Sequence, residues 1–140
     1  MGDKGRRTRV EKIIQSHRDL IVWQKSMDLG VEIYRLAAKF PPSETYRLVA
    51  QITRAAPSVP ANIAEGHARA TRKDFANFLA IAKGSLMKAE TFLMLAVRLS
   101  YLTQSEVSVA LGLITENSKM LTALRNRLKD ADKPEGHASL

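Results

Sequence analysis

Cysteine is absent from the 140 residues, which removes disulfides, thiolate metal sites and cysteine nucleophiles together. Without covalent staples, a chain of 15.6 kDa draws its stability from packing, within itself or between copies. Aromatics are scarce, at 6% with a single Trp. Trp23, Tyr34, Phe75 and Phe78 all fall on apolar stripes, which reads as core rather than as stacking platforms for bases. No run approaches the roughly 20 uninterrupted apolar residues of a membrane helix. The N-terminus is polar through Arg18 and lacks a signal-like apolar region, and Arg6 stands where myristoylation requires Ser or Thr. A soluble cytoplasmic protein, without a membrane partner, is the expectation.

Enzyme signatures are missing too. There is no P-loop, no G-x-S-x-G, no carboxylate cluster suited to magnesium, and no Glu-x-x-His pair of the di-iron bundles. His17, His67 and His137 are too scattered for a three-histidine metal site. Glu65 and His67 are the one conceivable acid/base pair, but residues two apart on a helix do not face each other. The expectation is a protein that is not an enzyme, with no cofactor and no metal.

What is present is apolar periodicity and positive charge. Apolar residues make up 45%, enough for one domain with a core. Lys and Arg number 22 against 14 Asp and Glu, a net charge of +8 and a pI near 10.0, which favours an anionic partner. Residues 1–18 carry six cations against two carboxylates, a local +4, and read as a basic, flexible N-terminal arm. Residues 19–129 read as helical and residues 130–140 as a flexible C-terminal tail.

Helix 1 carries two apolar stripes: Leu20, Trp23, Met27, Val31, Tyr34 and Ala38, then Val22, Leu29, Ile33, Leu36 and Phe40. That is more apolar surface than one neighbouring layer covers. Phe40-Pro41-Pro42 ends it, and Ser43 is a suitable N-cap for helix 2, aided by Glu44. Helix 2 takes Leu48, Ile52, Ala55 or Ala56, Val59 and Ile63 inward; Pro57 and Pro60 predict a kink or short break near Ser58, and Gly66 predicts weakness toward the end. Thr71–Asp74 resembles a capping box, opening helix 3 with the stripe Phe75, Phe78, Ala82, Leu86, Ala89, Leu93 and Ala96. Thr103–Glu106 is a full capping box, opening helix 4 with Val107, Leu111, Ile114, Leu121, Leu124 and Leu128, interrupted by Ser118. Four helices of about 20 to 30 residues with short links, and no period-2 segment, predict an all-α, up-down-up-down antiparallel four-helix bundle.

Helix 2 also carries a polar line. Gln51, Arg54, Ser58, Asn62, Glu65 and Arg69 step by three or four residues along one side. These groups either serve structure, capping carbonyls freed by the prolines and tying helices or subunits together, or present Arg54 and Arg69 to an anionic ligand. Arg72 and Lys73 follow at the turn into helix 3, then Lys83 and Lys88. Basic residues without exposed aromatics read as phosphate contact with little sequence readout.

Asp19-Leu20-Ile21-Val22-Trp23-Gln24-Lys25-Ser26-Met27, Phe40-Pro41, Glu44-x-Tyr46, and Gln51 through Gly66 with Ser58, Pro60, Asn62 and Glu65 form a recognisable signature. Phe75, Phe78-Leu79, Ala82-x-Gly84-Ser85 and Glu90-Thr91 extend it over about residues 19–128. The sequence resembles the bacterial four-helix-bundle family also called S23 or 23S rRNA intervening-sequence proteins. Pro57 stands where an aliphatic residue is usual and Thr53 where a second Arg is common. The resemblance implies a ring-like homo-oligomer, a pentamer, with Trp23, Gln51, Ser58, Pro60, Asn62, Glu65 and Gly66 as its structural and assembly motif. It also implies a distant similarity to the accessory variability determinants of diversity-generating retroelements, basic pentamers that bind nucleic acid and a reverse transcriptase.

Two functional expectations result. The first is a homo-oligomeric protein binding nucleic acid, structured RNA above all, through Arg54, Arg69, Arg72, Lys73 and Lys83 with help from the arm. The alternative is an oligomeric scaffold whose main partner is another protein, such as a reverse transcriptase-like enzyme.

Overall fold

The computed structural model describes residues 16–131. Most of the basic arm and of the C-terminal tail therefore lies outside the described residues. Four α-helices account for the architecture: α1 Ile21–Ala37, α2 Leu48–His67, α3 Arg72–Arg98 and α4 Ser108–Ala131, with no strand among the described residues. Consecutive helices pack together and α4 returns to α1, while the backbones of the diagonal pairs stay more than 8 Å apart. This is the square, antiparallel four-helix bundle that the periodicity predicts. One end gathers the start of α1, the α2–α3 turn and the end of α4.

Which stripes turn inward differs from expectation in α1. The buried set is Val22, Ser26, Leu29, Ile33, Leu36 and Ala37. Of the other stripe, Leu20 is buried and Trp23 half-buried, but Met27, Val31 and Tyr34 are 44%, 69% and 54% exposed. Tyr34 is thus not a core residue. At about 100° per residue the two stripes lie almost opposite, so one bundle covers only one of them.

Helix α2 starts at Leu48, not after Ser43. Residues Pro42–Glu44 form a 3-10 turn, and the Glu44 carboxylate is buried. It accepts the Leu48 N–H at 3.3 Å and stands 3.5 Å from Arg47, taking the capping role that Ser43 was expected to fill. Further along, α2 stays helical through Pro57 and Pro60, so the short break near Ser58 does not occur. Pro57 cannot donate to the Thr53 carbonyl four residues back. The Tyr34 hydroxyl of α1 donates to that carbonyl instead, at 3.2 Å.

Gly66 stands one residue before α2 ends at His67, as expected, but it is buried and marks a close approach as well. A Cβ there would stand 2.6 Å from Phe78 Cβ and 3.0 Å from Phe75 Cδ1. This contact holds Phe75 and Phe78 half-buried over the end of α2, so Ala76 and Leu79 take the deeper positions expected for them. From Ala82 to Ala96 the α3 stripe is buried as its spacing predicts.

Thr71 caps α3 by accepting the Asp74 N–H at 3.1 Å. Thr103 and Glu106 form the reciprocal box before α4, at 3.1 and 2.8 Å. Val107, just ahead of α4, and Ala110, Ile114, Asn117 and Leu121 within it are fully buried; Leu111, Leu124 and Leu128 are half-buried. The polar interruption inside the core is Asn117, not Ser118. Its Nδ2 donates to Leu113 O at 2.8 Å, and its Oδ1 has no partner among the described residues.

Candidate nucleic-acid interface

The polar line of α2 divides into an inner and an outer part. Ser58 and Asn62 are half-buried and satisfied within the protein: Ser58 Oγ meets Ser85 Oγ of α3 at 2.8 Å, and Asn62 Nδ2 donates along α2 to Ser58 O at 2.7 Å and Ser58 Oγ at 3.0 Å. Pro60 is buried beside them. The Ser58–Ser85 bond ties α2 to α3 while Asn62 braces Ser58 within α2, and a phosphate would have to displace satisfied hydrogen bonds to reach them. Gln51, Arg54, Glu65 and Arg69 are exposed. Trp23 of the same signature is half-buried, with the His17 ring edge-on at 5.1 Å.

The five expected cations do not form one patch. Arg54 lies within α2 and Arg69 two residues beyond its end at His67, with about 20 Å of helix between them. Lys83 faces α4 and donates to Thr122 Oγ1 at 2.7 Å, so it serves interhelix contact first. Arg69, Arg72 and Lys73 do converge, on the exposed α2–α3 turn. Arg69 stands 3.8 Å from Glu65 and its guanidinium lies 4.8 Å from the Phe78 ring centre, an orientation set by cation–π attraction. Glu65 turns to Arg69, whereas the His67 ring sits edge-on to Phe75 at 5.6 Å.

Two further cations join this turn from α4. Arg125 and Lys129 line a shared cavity with Arg72 and Lys73. The basic run Arg125-Asn126-Arg127-Leu128-Lys129 is visible in the sequence, but only the antiparallel α3–α4 pairing sets its place beside the start of α3. Among the described residues, no group of three or more His, Asp or Glu side chains could hold a metal ion. No described helix is long and apolar enough to cross a membrane.

Fold and surface define a basic, all-α antiparallel four-helix bundle with one group of cations, Arg72, Lys73, Arg125 and Lys129, around a groove at one end. The chain belongs to the 23S rRNA-intervening sequence protein family, whose profile matches residues 18–123. A solved structure similar to it is a protein of unknown function from the S23 ribosomal protein family of Bacteroides thetaiotaomicron. The two are 29% identical, with a TM-score of 0.70 over 75% of this chain and 98% of the other. No curated protein matches the sequence.

Proposed function

We propose that this protein is a non-enzymatic, cytoplasmic homo-oligomer that binds nucleic acid, chiefly structured RNA, by contacting phosphates. The observation that carries the reading is the gathering of Arg72, Lys73, Arg125 and Lys129 around one groove, with exposed Arg69 on the adjoining turn, in a chain of net charge +8. Exposed base-stacking aromatics are absent from that turn among the described residues, which favours backbone contact over sequence readout. Self-association is supported by the outer stripe of α1, where Met27, Val31 and Tyr34 lie uncovered. If the assembly is the pentameric ring that the family resemblance implies, five chains of +8 carry +40, a field strong enough to concentrate RNA.

A fluorescent structured RNA titrated with nuclease-treated protein at several salt concentrations tests this reading by anisotropy. Affinity should fall steeply with salt, and the slope counts the phosphates engaged. Reversing the charge of Arg69, Arg72 and Lys73 together should abolish binding while the oligomer persists; affinity that survives the triple change rejects this surface. A second reading, a scaffold for a protein partner, is favoured by apolar residues away from the basic end. Ile81, Leu95 and Leu99 fall on one outer line of α3, and Tyr46 of the Glu44-x-Tyr46 signature is 93% exposed. Absence of RNA binding at low salt would favour that reading.

A further inference from the structure

An open groove of about 370 Å³ runs between the start of α1 and the last turns of α4. Leu20, Ile21, Val22, Met120, Ala123 and Leu124 make most of its wall. Ile21 is 62% exposed, Ala123 is exposed, and Met120 and Leu124 are only half-buried. Apolar surface gathered in a concavity favours whatever removes it from water. The described chain begins at the rim of this groove: the Ser16 N–H donates to Asp19 Oδ2 at 3.3 Å, and Asp19 is a lining residue. Just ahead of Ser16 in the sequence, Val10, Ile13 and Ile14 stand at i, i+3 and i+4, one face of a helical turn, with Lys12 on the opposite face. The lengths agree as well. From Met120 to Arg127, α4 offers about 10 Å along the groove, and residues 10–15 measure about 9 Å as helix. The other end of the chain is the poorer fit, because Asp132-Lys133-Pro134-Glu135-Gly136 carries no apolar stripe.

We propose that this groove is the docking site of the chain's own residues 10–14, which close it as a short amphipathic turn. A tether of so few residues gives the segment a high effective concentration at the groove, so modest apolar contact suffices to hold it. Docking keeps Lys4, Arg6, Arg7 and Arg9 near the end of the bundle where α4 carries Arg125, Arg127 and Lys129. Only the use of those cations for phosphate contact rests on the nucleic-acid reading; the docking does not.

Because the chain lacks cysteine, single cysteines report the covered face without background. In the full chain, Val10→Cys, Ile13→Cys and Ile14→Cys should be alkylated by iodoacetamide about tenfold more slowly than Lys12→Cys, since a covered thiol reacts only when its segment opens. Lys12 lies between protected positions, so a gradient along the chain cannot imitate this pattern. Equal rates at all four positions overturn the proposal. Ala123→Glu sets a charge in the groove at an exposed helical position that accepts glutamate, so this variant should fold. It should raise the three slow rates to that of Lys12→Cys; protection that survives it rejects this groove as the site. Bridging the Ile13→Cys/Ala123→Cys pair with a short bismaleimide should link two residues of one chain. A product of two linked chains gives the groove to a second copy and overturns docking within the chain. Ile13→Ser/Ile14→Ser releases the segment without changing charge and should weaken RNA binding. Unchanged RNA affinity, with the protection pattern intact in the cysteine variants, removes the arm from the nucleic-acid reading and leaves the docking in place.

Discussion

Two small residues show how far single positions depend on their neighbours. Alanine ordinarily improves a helix interior over glycine by about 1 kcal/mol. At Gly66 the added methyl would meet Phe78 Cβ at 2.6 Å, so Gly66→Ala should instead destabilise by about 1–3 kcal/mol, read from the urea midpoint. Gly112 has nothing within 4 Å of such a methyl, and the same change there should stabilise by about 0.5–1 kcal/mol. Ser100 holds φ at 64°, the left-handed region. Tyr101 N–H bonds Ala96 O and Ser100 N–H bonds Val97 O, both at 2.9 Å, a Schellman close to α3 that usually employs glycine. Ser100→Gly should therefore stabilise by about 0.5–1 kcal/mol, and a lowered midpoint would contradict this account. Neither Gly66 nor Ser100 declares its role in the sequence: the first looks like a helix end, and the second carries no turn signal.

Among the elements, α4 has the plainest electrostatic signature. Lys39 of the α1–α2 connection reaches Glu106 at 2.8 Å, and the Thr103 N–H bonds the other carboxylate oxygen. The Lys39 hydrogen bond, then that of Thr103, lowers the Glu106 pKa from its ordinary 4.5. A depressed carboxylate stabilises the fold above its unfolded pKa, and the contribution is lost as pH falls through the folded value. Glu106→Gln keeps a capping side chain but loses the ion pair. The variant should be less stable than wild type near neutrality and converge with it in acid, as measured by thermal melts across pH. A constant gap over the whole range would show that the Lys39 pairing contributes nothing. The existence of all four helices was legible from the 3.6-residue period and both threonine caps. The start of α2 was not, because a buried Glu44 caps it four residues ahead of Leu48. The continuity of α2 through two prolines was not legible either, since the group that satisfies Thr53 O is Tyr34 from another helix.

For the whole molecule, the decisive feature is the outward stripe of α1. Val31 is 69% exposed, so Val31→Glu should leave the isolated fold within about 0.5 kcal/mol of wild type. In an assembly sealed by that face, the same carboxylate would be buried without a partner. Light scattering coupled to gel filtration should then give a smaller species with unchanged helical circular dichroism; an oligomer of wild-type mass would place the interface elsewhere.

Composition and periodicity determined the class of this protein: an all-α, basic, cysteine-free bundle. Helix propensity and the threonine caps are local, and a one-dimensional pattern carries them. Tertiary structure alone decided which of two equivalent stripes on α1 faces the core, that Ser58 bonds to Ser85 of α3, and that Lys83 is held by Thr122. It also brought Arg125 and Lys129 beside Arg72 and Lys73. Each of these depends on which helix packs where and at what rotation, and no spacing within a single helix encodes that choice.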